Sequence, residues 1–153
     1  MWVRVTAETV LPVPIERAWE ALTDWEDQPR WMRDADAVRV LGSRREGVGT
    51  TIAVRTRVLG VPLFTERLEA TIWEPPRRLV MAHRSFVRGV GTWRLQPVEG
   101  GTWFTWTEEL RLPVPVLGEL ALRVYRPVLR RLMRAGLAGL RARLLQSPPS
   151  DVR

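Results

Sequence analysis

Apolar positions in the last segment, Pro115 to Gln146, recur at steps of three and four: Val116, Leu117, Leu120, Ala121, Val124, Val128, Leu129, Leu132, Met133, Leu137, Leu140 and Leu144. That spacing marks one face of a helix, and roughly thirty residues of helix span about 45 Å. A rod of that length needs a broad apolar surface to lie against. The rest of the chain supplies a pattern for one, because ahead of the rod the periodicity is mostly that of strands. Trp2–Val10 alternates and ends at Pro12 and Pro14. Ile15, Ala18, Trp19 and Leu22 give a short amphipathic helix opened by Pro14, and Asp24 to about Met32 gives a second, interrupted at Pro29.

From Val38 the pattern is strand after strand: Val38–Leu41, Thr50–Leu59, Leu63–Trp73, Leu79–Phe86, Thr92–Val98 and Thr102–Leu112. Short turns separate them: Ser43–Gly47, Gly60, Pro75-Pro76, Arg88-Gly89 and Glu99-Gly100-Gly101. In Thr50–Leu59, Ile52, Val54, Thr56 and Val58 share one face and Arg55 and Arg57 the other, which describes a strand with one dry and one wet side. The order predicts an α+β fold: an antiparallel meander sheet of about seven strands, two short helices after the first strand, and a long C-terminal helix. Pro127 predicts a kink or break in that helix. Gly136 and Gly139 predict a close approach to the sheet or space beside it. Residues 1–146 read as one domain, and 147–153 as a disordered tail.

Charge adds one feature. All 24 basic residues are arginine. Residues 1–112 carry 16 Arg against 15 acids, and residues 113–153 carry 8 against Glu119 and Asp151, so +6 of the net +7 lies on the terminal segment. Arg123, Arg126, Arg130, Arg134 and Arg141 fall in one arc of the helix. The arc reads first as a solvated face and alternatively as a contact for an anionic membrane or RNA. Few aromatics interleave it, Tyr125 being the only one in the helix, and this disfavours nucleic acid. With no cysteine, disulfides and thiolate ligands are excluded, and one histidine makes a metal site a poor fit. No cofactor is expected. No secretory signal and no long apolar run is visible, so a cytoplasmic location is the default.

The local sequences VPIERAWEALTDWEDQPRW (13–31), WEPPRRLVM (73–81), GTWRLQPVEGGTWFTW (91–106) and LAGLRARL (137–144), taken in this order, resemble the START-like (helix-grip, SRPBCC) superfamily. Within it they resemble the polyketide cyclase/dehydrase-type proteins, over residues 3–146. The resemblance implies a curved sheet gripping the C-terminal helix, with a cavity between them for an apolar ligand such as a lipid, isoprenoid or polyketide-like molecule. It implies no particular reaction.

Strand parity nominates the cavity wall. Glu66, Leu68, Ala70 and Ile72 share one face, as do Leu79, Met81, His83 and Ser85, and Phe104, Trp106, Glu108 and Leu110, with Trp93 and Leu95 between. The expected lining is Trp31 at the mouth, Glu66, Leu68, Ile72, Met81, His83, Trp93, Trp106, Glu108, and Met133 from the helix. His83 is a conceivable general base with Glu66 or Glu108 as orienter, though a packed, hydrogen-bonded role is favoured. The two glutamates are expected to pair with Arg84, Arg94 or Arg111 at the rim. Ser85 lies about 7 Å along the same strand face from His83, too far to act as its nucleophile. The repeated Gly-Val-Gly-Thr at 47–50 and 89–92 reads as two turns before strands. Trp73 and Trp103 have outward parity and together would form a patch for a homodimer.

Overall fold

A computed structural model describes residues 2–146; the tail expectation for 147–153 lies outside them. The element order is β1 (Val3–Leu11), α1 (Ile15–Leu22), a 3₁₀ helix (Trp25–Arg30), β2 (Ala35–Leu41), β3 (Thr51–Val58), β4 (Val61–Glu74), β5 (Arg78–Arg84), β6 (Arg88–Val98), β7 (Gly101–Arg111) and α2 (Leu117–Gln146). All seven strands form one antiparallel sheet in the order β1-β7-β6-β5-β4-β3-β2. This is the α+β helix-grip arrangement that the periodicity and the resemblance both predict. From β2 to β7 every strand neighbours the next in sequence, so two-residue turns suffice at Leu59-Gly60 and Glu99-Gly100. Leu59 and Gly60 both take positive φ, 51° and 82°, the backbone that matches the twist of the flanking strands. The stretch α1 plus the 3₁₀ helix carries the chain from β1, at one edge, to β2 at the other.

The core is aromatic. Six of the eight tryptophans, at 19, 25, 31, 73, 93 and 106, belong to it or pack on it. Trp73 meets Trp19 at 5.5 Å and Trp25 at 6.2 Å between ring centroids. The outward Trp73–Trp103 patch is therefore not formed, and the cause is local. The β4–β5 register runs Ala70↔Met81 and then Ile72↔Val80, so Thr71 is an extra residue. A bulge of one residue exchanges the two faces of the strand beyond it. Trp73 turns inward in place of Ile72.

Helix α2 shows two different halves. Leu129, Met133, Gly136, Leu137, Leu140 and Leu144 are buried, and this half packs on β1. Arg143 ties it to the 3₁₀ helix through two hydrogen bonds to Asp27, at 2.8 and 3.1 Å. Gly136 makes the close approach expected of it, but to a loop and not to the sheet: a Cβ there would lie 2.8 Å from the Trp31 carbonyl oxygen. In the first half, Leu117, Leu120 and Val124 are exposed, so the predicted apolar face is buried only from Leu129 onward. The break expected at Pro127 is absent, and the helix runs through it. Pro127 is solvent-exposed, where water can serve the carbonyl that its missing N–H leaves free.

Candidate functional site

Two cavities lie side by side on the inner face of the sheet. The inner one, about 90 Å³, is enclosed largely by Trp25, Ile52, Leu68, Met81, Trp93 and Trp106. The outer one, about 380 Å³, lies beneath the first half of α2, between Ala121, Leu122, Tyr125 and Leu129 on the helix and Phe64, Val87, Leu110 and Leu112 on the sheet side. Asp34, Thr56, Glu66, His83, Trp106 and Glu108 border both. The wall between the chambers is thus polar, while the outer chamber is otherwise mostly apolar. Phe86 stands at its edge, 58% exposed.

The polar wall is a chain of contacts across the sheet. The indole Nε1 of Trp106 donates to Glu108 Oε1 at 2.8 Å. Glu108 Oε2 lies 3.0 Å from His83 Nε2, and His83 Nδ1 lies 3.6 Å from Glu66 Oε1. Thr56 donates to Glu66 Oε2 at 3.4 Å. His83 is on β5 and Glu108 on β7, two strand spacings or about 10 Å apart along the sheet. They meet because the strand between presents glycine: Gly91 pairs with both Met81 and Glu108. A Cβ on Gly91 would fall 2.8 Å from Glu108 Oε1. The second Gly-Val-Gly-Thr is therefore no turn. It lies inside β6 and makes room for a carboxylate.

The arrangement sets the proton positions. Burial alone would lower the His83 pKa, but the contacts with Glu108 and then Glu66 overcome it and hold the imidazole up at about 10. At neutral pH it is a cation between two carboxylates. A pKa raised in this way disfavours a general-base role. Asp34 behaves in the opposite sense. Burial first, then the charges of Glu108 and Glu66, push its carboxyl up to about 6. Tyr125, opposite on α2, is raised by burial and by Asp34.

Of the residues nominated from the sequence, Glu66, His83, Trp106 and Glu108 come together on the shared wall, and Leu68, Met81 and Trp93 line the inner chamber. Three fall elsewhere. Trp31 is 1% exposed and packs on Trp93 and Trp106 at 6.3 and 6.1 Å, as core and not as a cap on a mouth. Met133 is core beneath the buried half of α2. Ile72 is carried off the cavity face by the bulge. The glutamates pair with His83 and not with arginines. Arg84 turns to Glu69 at 3.5 Å and Arg111 lies over the Trp2 ring at 5.0 Å, while Arg94 is exposed on the outer face. Ser85 lies beyond the end of β5, accepting from the Arg67 N–H at 2.8 Å. In the arginine arc, Arg123 pairs with Glu119 and Arg141 donates to the Val10 carbonyl. Asp34, Gly91, Leu122 and Tyr125 were not anticipated. No helix among the described residues is long and apolar enough to cross a membrane.

Residues 3–145 match the family model described as polyketide cyclase / dehydrase and lipid transport. The chain belongs to this family. Among solved structures, this polyketide cyclase/dehydrase-family chain is similar to an aromatase/cyclase, ZhuI, from Streptomyces sp. R1128: TM-score 0.79, 15% identity, 95% of each chain covered. It is also similar to a protein of Thermus thermophilus, with TM-score 0.76, 24% identity and coverage of 94% and 97%. A third similar structure is StfQ, a di-domain ARO/CYC of the steffimycin biosynthetic pathway, with TM-score 0.72 and 16% identity; the match covers 93% of this chain and 50% of that one. No curated protein matches the sequence. At these identities the structural likeness concerns the fold.

Proposed function

We propose that this protein binds and carries an apolar small molecule in the outer cavity. The observation that carries the reading is a chamber of about 380 Å³ between sheet and helix, lined by leucine, phenylalanine, valine and tyrosine with a few polar groups gathered on one wall. That composition is typical of small-molecule sites. The family description and the aromatase/cyclase neighbours favour a polyketide-like or lipid-like guest. Native mass spectrometry of gently purified protein is expected to reveal a co-purified apolar compound. The stripped protein is expected to bind the neutral fluorophore N-phenylnaphthylamine saturably, one per chain. The absence of both a co-purified compound and saturable binding would refute the proposal.

A cyclase or dehydratase activity is the alternative, and the form that uses His83 as base is disfavoured by the raised pKa of that imidazole between two carboxylates. Docking on an anionic membrane remains a proposal with one favourable feature. Leu117, Leu120 and Val124 are exposed on the same half-helix as Arg126, beside the cavity. Flotation with phosphatidylserine vesicles that fades with salt supports it; no flotation at low salt removes it.

A further inference from the structure

The charge on the shared wall is unbalanced, and this bears on what the outer cavity admits. Asp34, Glu66 and Glu108 border it as carboxylates. The cations nearby are already engaged. His83 is held between Glu66 and Glu108. Arg57, also at the cavity, is bonded through its side chain to Asp36, and so is Arg55. Among the described residues that leaves the Asp34 carboxylate with no cation of its own. The groups facing it from every neighbouring element are Thr56 and Arg57 on β3, Glu66 on β4, His83 on β5, Glu108 on β7 and Tyr125 on α2. An anion brought into this chamber would meet a negative wall, whereas a cation would supply the missing partner.

The geometry points to a cavity that selects by charge: it takes apolar molecules whose polar end is cationic or a neutral hydrogen-bond donor, such as an amine or alcohol, and rejects anionic amphiphiles. This rests on the reading of the cavity as a ligand site and narrows it. Asp34 is the selecting residue, placed just before β2 on a cavity lining that it shares with Tyr125 of α2. Its carboxyl titrates near 6, raised first by burial and then by the charges of Glu108 and Glu66. The selection is accordingly strongest above that pH.

The test is competition against bound N-phenylnaphthylamine by decylamine, decanol and decyl sulfate, three guests that differ only in the head group. At neutral pH decylamine is expected to displace the probe at a concentration about tenfold or more below that needed for decyl sulfate, with decanol between. The ratio of amine to sulfate should shrink severalfold at about pH 5, where Asp34 takes up a proton while neither head group changes charge. Asp34→Asn should give the same smaller ratio at neutral pH. The pH experiment on the unaltered protein decides the matter even if that variant folds poorly. Decyl sulfate competing as well as decylamine, or a ratio indifferent to pH, would overturn charge selection while leaving ligand binding intact. No binding of the probe or of any decyl compound would bring down the ligand-site reading itself.

Discussion

Replacing His83 by glutamine takes the cation from between two carboxylates and keeps a polar side chain of similar length. The side chains of His83, Glu66 and Glu108 are only 8%, 11% and 12% exposed, so water can do little to compensate. Removing one partner of such a buried pair commonly costs about 3–5 kcal/mol, because the charge left behind is uncompensated. In a chain of this size that corresponds to a fall in Tm of roughly 6–20 °C. The pH dependence provides a sharper signature. The folded-state pKa of His83 is raised, from 6.5 to about 10, so its contribution is fully present below the unfolded value and is lost as pH rises through the folded one. The parent protein should lose stability steadily from neutral pH toward about pH 10, and His83→Gln should lack that slope. Urea unfolding at a series of pH values measures both effects. Replacing all three residues by glutamine removes the charges together and should restore much of the loss. If His83→Gln costs less than about 1 kcal/mol and keeps the parent's alkaline slope, the buried ion triad is not what holds this wall together.

Gly136→Ala sets a methyl 2.8 Å from the Trp31 carbonyl oxygen and should destabilise by about 1–3 kcal/mol in urea, whereas Gly139→Ala, with only an Arg33 side-chain atom at 3.8 Å, should be neutral or mildly stabilising. Gly91→Ala should push Glu108 away and lower the His83 pKa; the single imidazole signal in proton NMR reads this directly, and an unchanged titration would contradict the role given to Gly91. Asp34→Asn should stabilise the protein at neutral pH by about 1–2 kcal/mol. The raised pKa of Asp34 means its favourable contribution is present below 3.8 and lost as pH rises through about 6; the variant's advantage over the parent should therefore shrink as pH falls through that window, and a difference that does not change with pH would contradict it.

Much of this was written in the periodicities. Alternation located every strand of the sheet, and the three-and-four spacing located α2, because both follow from backbone geometry that burial imposes on each residue in turn. What escaped was set by single residues whose effect depends on a neighbour. One added residue at Thr71 exchanges Ile72 for Trp73, and no composition signal marks it. The apolar spacing of Leu117, Leu120 and Val124 looks the same whether a helix face is covered or bare. Glu66, His83 and Glu108 had the right parity to face the cavity, yet their convergence depends on Gly91 in the strand between, which reads in isolation as part of a turn. Asp34 follows an irregular stretch between the 3₁₀ helix and β2, where neither period applies.

Everything functional here depends on the space beneath the first half of α2 admitting a guest. The most direct measurement is an N-phenylnaphthylamine titration of the parent protein beside Leu122→Trp, in which the larger ring occupies the chamber while the buried half of α2 is left as it is. The account predicts saturable one-to-one binding to the parent and its loss, by about tenfold or more, in the variant. Equal binding to both, or none to either, would contradict it.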